Sequence, residues 1–467
     1  MRSAVEVMVE CSTNVRTRPS ASEPPLSNLL DRPLTDAERA CWLIDQQSPF
    51  TIVHIVHVRG PLNPSALRQA LDALTAATPL LRVGVRAGRP PRFFETSRPV
   101  PLDLLPRTDE GAWERALAVT RATPMDVAEG PLARLTLVHG MERSELLLAT
   151  HHGVSDGVSG VTLARELLTA LAQIEAGEAP HLQNHPPRPG VEALLPAALR
   201  GWAGLPRRLG YLLGQLRDLT RRPKKLPEEA RVPVEARRAR TRHTQLDAAT
   251  SRGLITRARS EDTTVHGAIV AAALRAIAAH LGGHARLGCC TPVNLRAQLS
   301  EPLGDEVGMF VGPVVHFHTV GPDAPLWPLA REVRGALRAA AEVSGPAVAL
   351  ATQSALLPAG ATPELASRLL YHPLFGALAV TNMGAPELPL TYGALALERM
   401  HIASPTAALG SLVSLAVLTL RGEISINFNY NQEIISERVI DSLVAATLGG
   451  LTAMAVQGAS DALAEGA

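Results

Sequence analysis

The sequence predicts an α+β chain folded as two lobes, and three observations carry that prediction. At 467 residues the chain is longer than the roughly 250–300 residues that one hydrophobic core usually holds. Apolar residues recur at strand spacing and at helical spacing in both halves, mixed rather than gathered into separate blocks. Between the halves, from about residue 177 to residue 240, the texture turns Pro-rich and then basic, as a connection between lobes does.

Taken in order, residues 1–25 carry Ser, Thr, Pro and Arg without apolar periodicity and read as a mobile tail. In the first lobe, 26–176, residues 51–58 form a strand rich in β-branched side chains, 64–78 and 112–123 form amphipathic helices, and 132–138 pairs with 146–152. The connection, 177–240, holds Arg200, Arg207, Arg208, Arg217, Arg221 and Arg222 together with Lys224 and Lys225, the only lysines of the chain. It reads as a solvated linker helix, or as a contact for an acidic carrier protein or an anionic membrane surface. The second lobe, 241–467, shows helices at 264–281 and 328–342 and a strand at 287–293. Strands at 377–382, 395–402, 411–420 and 423–430 follow, closed by a helix at 436–454. The similar content of the halves suggests a duplicated architecture, without a sequence repeat that proves it.

Chemistry concentrates in Ala149-Thr150-His151-His152-Gly153-Val154-Ser155-Asp156-Gly157. An apolar strand precedes this run, and an amphipathic helix follows it, with Val161, Ala164, Leu167, Leu168, Leu171 and Ile174 at helical spacing. Adjacent residues on a strand point to opposite faces, so His151 and His152 cannot both face one cavity, and one of them is structural. Gly153 and Gly157 allow a tight turn, and Asp156 either caps the helix or pairs with a buried arginine; contact with substrate is not expected of it.

Composition narrows the partners. Hydrophobic content of 46% with a net charge of +1 argues against a general polyanion binder, and 3% aromatics leave few stacking platforms, so nucleic acid is not expected. Cys11, Cys41, Cys289 and Cys290 show no C-x-x-C spacing, which implies no zinc site and a reducing cytoplasm. Acids interrupt the N-terminal ten residues before a signal-type apolar region can form, and no run is read as reaching the ~18 apolar residues of a membrane span. A monomer is expected.

The motif residues resemble a known family. His151-His152-Gly153-Val154-Ser155-Asp156-Gly157 matches the HHxxxDG signature of the condensation-domain and CoA-dependent acyltransferase superfamily. Weaker matches follow the order of that family. Leu34-Thr35-Asp36-Ala37-Glu38-Arg39-Ala40-Cys41-Trp42 looks like its opening motif, and Thr78-Pro79-Leu80-Leu81-Arg82 like its RHxxLR segment with the first two residues changed. Thr291-Pro292-Val293-Asn294-Leu295-Arg296 with Val307-Gly308-Met309-Phe310-Val311 resembles the paired motifs of its second half. The resemblance covers about residues 30–455. It is greatest to free-standing polyketide-associated acyltransferases of the phthiocerol dimycocerosyl transferase type, supported by Val380-Thr381-Asn382-Met383-Gly384 and Phe428-Asn429-Tyr430-Asn431. A DFGWG-type sequence, as peptide condensation domains carry, has no match.

This resemblance implies two chloramphenicol-acetyltransferase-like lobes in a V, with a central tunnel that donor and acceptor enter from opposite faces. His152 would be the general base, His151 structural, Asp156 the ion-paired holder of the turn, Gly157 the residue giving the backbone room, and Arg296 the latch-like arginine. The reaction it implies moves an acyl group from an acyl carrier protein or coenzyme A thioester to a hydroxyl, in polyketide, secondary-metabolite or complex-lipid biosynthesis. No resident cofactor or metal is implied, and an amine could replace the alcohol. Imidazole suits the base because its pKa lies near neutrality, and a thiolate leaves without a strong acid. Thr381 and Asn382 are candidates for the oxyanion site or tunnel wall, against a plain strand-ending turn before Gly384. Gly153-Val154-Ser155-Asp156-Gly157 also fits G-x-S-x-G, which makes a Ser155 hydrolase the competing enzyme. A non-catalytic carrier- or acyl-binding scaffold is the third reading. His54, His57, His316 and His318 read as ordinary structural residues, and Cys289 and Cys290 as inert thiols in an apolar strand.

Overall fold

From Arg32 the chain forms β1 (Arg32–Pro33), α1 (Asp36–Asp45), β2 (Thr51–Arg59), α2 (Pro64–Ala77), β3 (Val83–Arg86), β4 (Arg92–Glu95), β5 (Leu102–Pro106) and α3 (Ala112–Ala122). It continues through β6 (Ala133–His139), β7 (Arg143–His151), α4 (Gly157–Glu175), α5 (Val191–Leu194), α6 (Leu205–Thr220), β8 (Ala239–Gln245), α7 (Ala248–Ser260) and α8 (Val265–His280). The last part holds β9 (Ala285–Asn294), β10 (Val311–Val320), α9 (Leu326–Glu342), α10 (Gly345–Leu356), α11 (Pro363–Leu370) and β11 (Leu378–Asn382). It ends with β12 (Thr391–Tyr392), β13 (Leu395–Ala403), β14 (Val413–Leu420), β15 (Glu423–Asn431) and α12 (Glu437–Ala464). This computed structural model describes residues 30–464 except 187, 302, 343–344, 371–375 and 407–410. The tail read at 1–25 and Cys11 lie outside the described residues.

The α+β class is the one the chain adopts. Two six-stranded sheets carry it, ordered β12-β13-β2-β7-β6-β5 and β10-β9-β11-β14-β15-β8, with a small sheet β1-β4-β3 beside them. Against the second sheet lies a core built on α8, whose Ile269, Leu274 and Ile277 are buried together with Leu329 and Val333 of α9 and Ile440 and Leu451 of α12. The first sheet packs on α2 and α4 through Leu67, Leu71, Leu163 and Leu167. Local chemistry starts the helices where the sequence permits. Thr35 and Glu38 form a reciprocal capping box on α1, Asn63 caps α2 ahead of Pro64, and Thr264 caps α8.

One assignment is corrected. Residues 395–402 read as part of the second lobe, yet β13 pairs antiparallel with β2, from Ala396 opposite Arg59 to Ala403 opposite Val53, and so completes the first sheet. An alternating strand declares its faces but not its partner, and here β13 lies between its sequence neighbour β12 and the edge of β2. The expectation that no run is long and apolar enough for a membrane span is also corrected. Residues 437–456 of α12 reach a mean hydropathy of 1.7 over a helix of sufficient length; in the fold, Val439, Ile440, Leu443, Leu451 and Met454 pack into the core. The helix α10, which the sequence reading passed over, is rich in Ala and buried through Ala347, Val348, Ala349 and Leu350. A helix covered on most sides shows no amphipathic period to read.

Candidate active site

The motif sits where β7 ends and α4 begins. His151 closes β7, its N–H donating to Leu132 O at 3.0 Å, and the chain turns through 152–156 before α4 starts at Gly157. The expected divergence of the two histidines is observed. His151 is buried, its Nδ1 accepts the Gly153 N–H at 3.0 Å, and its Nε2 lies 3.8 Å from Asp45 Oδ1. Burial holds its imidazole below the ordinary value, with Asp45 opposing that effect and His152 adding to it.

His152 points the other way. Its N–H donates to Phe50 O at 2.9 Å, and its ring stacks on Phe50 with centroids 5.3 Å apart and planes 24° from parallel. Nδ1 lies 2.9 Å from Ser155 O. A carbonyl only accepts, so Nδ1 carries a hydrogen, and in the neutral ring the lone pair is on Nε2. The residue lines a cavity of about 380 Å³ between the two sheets. Phe50 and Ile52 contribute from the first half of the chain, and Cys290, Met309, Leu350 and Ser414 from the second. Burial pushes the Cys290 thiol up to about 12, so it stays protonated.

Asp156 realises both roles offered for it. As N-cap of α4, its Oδ1 accepts the Ser159 N–H at 2.8 Å and the Ser159 Oγ–H at 2.9 Å. Arg296 meets it as a fork, Nη1 to Oδ2 at 2.9 Å and Nη2 to Oδ1 at 3.1 Å, and the Phe310 N–H donates to Oδ2 at 3.0 Å. Both paired side chains are buried, at 0% and 3% exposure for Asp156 and Arg296. Burial alone raises the carboxyl; Arg296 and the hydrogen bonds from Ser159 and Phe310 outweigh it and hold the group below the usual carboxylate range. Arg296 is steadied by donating to Glu306 O at 2.9 Å and by lying 4.8 Å over the Phe310 ring. Thus the segments 291–296 and 307–311 converge on the turn at 156, although 140 residues separate Arg296 from Asp156.

Gly157 has a close-packing reason to be glycine: a Cβ there would lie 2.5 Å from Met383 Sδ. Its carbonyl accepts from His54 Nε2 at 3.0 Å. Thr381 and Asn382 both line the cavity, and Asn382 Oδ1 accepts the Gly384 N–H at 2.8 Å, so the strand-ending turn and the wall position coexist. Ser155 is fully buried, its hydroxyl bonds weakly to Asp156 O at 3.3 Å, and it is not among the residues lining the cavity. His152 reaches its carbonyl rather than its hydroxyl, so the turn does not present the serine as an exposed nucleophile. Among the described residues no group of three His, Cys, Asp or Glu is placed to hold a metal ion.

Phe50 and Ser159 carry no signal read from the sequence, and Phe310, which falls within the motif 307–311, has no role assigned to it there. Ser159 ties the two halves, its Oγ accepting the Gly308 N–H at 3.0 Å, and its position three residues after the cap is the one signal that would have found it. His54 was read as structural, and its bond to Gly157 O with burial pulling its imidazole down to about 4 agrees. A second cavity of about 560 Å³ opens between α3 and β8, lined by Arg115, Arg121, Arg240 and Arg242; it holds no residue of the run from His151 to Gly157.

Residues 33–464 match the family model of the condensation domain. Phosphinothricin tripeptide synthetase PhsC of Streptomyces viridochromogenes is 32% identical over 205 residues, 40% of this chain and 18% of that protein. The chain spans 4% or less of the length of the probable non-canonical nonribosomal peptide synthetase CymA of Salinispora arenicola and of linear gramicidin synthase subunits D and C of Brevibacillus parabrevis. Among solved structures, TRI3 trichothecene 15-O-acetyltransferase from Fusarium sporotrichioides superposes with a TM-score of 0.74 at 14% identity, covering 93% of this chain and 97% of that one. Polyketide synthase associated protein 5 from Mycobacterium tuberculosis gives 0.64 at 18% identity, covering 91% and 98%. At such identities the structural likeness speaks for the fold, and it is the two-sheet α+β fold anticipated from the motifs.

Proposed function

We propose that this chain, which belongs to the condensation-domain family, transfers an acyl group from a thioester, carried by coenzyme A or by the phosphopantetheine of a carrier protein, to a hydroxyl acceptor. The observation that carries the reading is the state of His152, whose Nδ1–H is committed to Ser155 O while the ring borders the cavity between the sheets. Such a group takes the hydroxyl proton at Nε2 as the oxygen attacks the thioester carbonyl. The C–S bond then breaks, and the proton held by His152 passes to the departing thiolate, so alcohol and thioester become ester and thiol with no covalent enzyme intermediate.

Support for a neutral alcohol comes from the cavity wall. Its two carboxylates are engaged, Asp156 with Arg296 and Asp36 with Arg39 at 2.7 Å, leaving no free carboxylate among the described lining residues to seat an ammonium. Asn382 fits the oxyanion role through its amide nitrogen, since its oxygen is occupied by Gly384, and Thr381 offers a hydroxyl beside it. Asp156 and Arg296 act on the reaction only by holding the turn.

The test is thiol release from a panel of acyl-coenzyme A and acyl-carrier donors, with and without alcohols and amines. Wild type should release thiol in an alcohol-dependent manner, and His152→Ala should lose about 10²–10⁴-fold of that rate while keeping its melting temperature. Ser155→Ala should retain it. Undiminished turnover in His152→Ala would remove the proposal, and loss confined to Ser155→Ala would restore the hydrolase.

A further inference from the structure

The basic connection contains the helix α6, and this helix has two unlike faces. One face is anchored: Gln215 is buried, Tyr211 packs onto the cluster that includes Val348 and Ala351 of α10, and α10 in turn lines the His152 cavity through Leu350, Gln353 and Ser354. The opposite face is open and apolar. Leu205, Leu209, Leu213 and Leu216 are 37%, 50%, 66% and 57% exposed, and Trp202, just ahead of the helix, is 88% exposed. At 100° per residue the four leucines fall within an arc of about 80°. Four leucines aligned on one exposed face form a stripe, whereas singly scattered exposed apolar residues would need no explanation.

Charge identifies the occupant. Residues 200–225 contain eight cations, Arg200, Arg207, Arg208, Arg217, Arg221, Arg222, Lys224 and Lys225, and a single carboxylate, Asp218, in a chain whose net charge is +1. The Arg217 and Arg222 guanidinium groups have no hydrogen-bond or ion-pair partner among the described residues. On the helical wheel Arg208 and Arg217 flank the leucine arc on its two sides. An apolar stripe with tryptophan and leucine, bordered by arginines, matches a helix lying in the plane of a lipid headgroup layer. An acidic carrier protein answers the arginines, and it is the continuous leucine stripe with Trp202 that favours a lipid surface.

We propose that α6 seats this chain on an anionic membrane, with the Trp202 and leucine stripe at the acyl boundary and the flanking arginines on headgroup phosphates. The inference is independent of the chemistry assigned to His152. It is tested with the full chain by co-sedimentation with vesicles of phosphatidylcholine alone and of equal parts phosphatidylcholine and phosphatidylglycerol. Binding should appear with the anionic vesicles and weaken as salt is raised. Leu209→Glu with Leu213→Glu should weaken it at least about tenfold, and Arg217→Gln with Arg222→Gln about tenfold or more. Both pairs should keep the wild-type melting temperature, because these side chains lie on the exposed side of the connection and outside the buried core. Absence of wild-type binding, or variants that bind as wild type does, would overturn the proposal. So would a wild-type dimer that the leucine variant dissolves, which assigns the stripe to a second copy, or leucine-dependent capture of an acyl carrier protein without vesicle binding.

Discussion

Asp156→Asn is the substitution that most directly probes how the two halves are joined. The side chain keeps an oxygen able to cap α4 through the Ser159 N–H, now 2.8 Å from Oδ1, so the local helix start survives. What it loses is the charge that neutralises Arg296, whose two nitrogens lie 2.9 and 3.1 Å from the carboxylate in a site with almost no exposure. It also turns an amide N–H₂ toward either the guanidinium or the Phe310 N–H, which donates to Oδ2 at 3.0 Å. Breaking a buried pair from one side costs about 3–5 kcal/mol, because a buried charge is left uncompensated. Arg296→Met should cost a similar amount from the other side. The double variant should cost less than the sum of the two, by about 1–3 kcal/mol, since no lone charge remains. Urea midpoints and melting temperatures of the four proteins measure this. The pH dependence has a definite sign: the folded carboxyl is held below its unfolded value, so its contribution is complete above about pH 3.9 and is lost as the pH falls through the folded pKa. Asp156→Asn should lack that acid limb. Single variants within about 1 kcal/mol of wild type, or costs that simply add in the double, would refute the reasoning.

Two glycines of the motif helix should respond in opposite ways. A Cβ at Gly160 would lie 1.8 Å from His54 Cε1, inside a packed core, so Gly160→Ala should lower stability by about 1–3 kcal/mol or more, and an unchanged melting temperature would contradict that packing. Gly157→Ala meets only the end of the flexible Met383 side chain, so it should fold normally and raise KM as Met383 is pushed toward the cavity; a kcat loss at constant KM would show that the backbone had moved instead. His54, His243 and His266 are each drawn by burial from 6.5 to about 4. They stay neutral in the fold while the unfolded chain takes up protons, so the melting temperature should fall as pH drops from 6.5 toward about 4. A flat profile over that interval would show that these histidines are not buried as neutral rings.

Much of the fold is legible where a single element carries its own signature. Residues 51–58 and 146–152 announce β2 and β7 by β-branched and apolar runs between turns, and the period of 64–78 announces α2 behind Asn63 and Pro64. Legibility ends where the deciding contact is remote. The outward face of β13 says nothing about β2 as its partner, and the uniform Ala-rich surface of α10 conceals a helix buried among α6, β10 and the cavity. Arg296 was placed in the site by resemblance alone, for nothing local to residue 296 points to a carboxylate 140 residues earlier.

The same division explains why the opposite orientation of the two histidines followed from backbone geometry while the choice of His152 rested on resemblance. That adjacent strand residues face apart is a property of the backbone, and it holds for His151 and His152 whatever surrounds them. Which of the two meets a cavity depends on what closes the far side, and here Cys290 of β9, Ser414 of β14 and Met309 of the loop before β10 do so. Those segments are brought to the turn in part by Arg296, Phe310 and Ser159, all converging on Asp156 or its cap. The carboxylate therefore does for the site what no base could do for itself: it sets the turn that commits His152 Nδ1 to Ser155 O, and it fastens the opposite wall at a fixed distance from Nε2. Loss of Asp156 should accordingly lower stability and turnover together, whereas loss of the His152 imidazole should lower turnover alone.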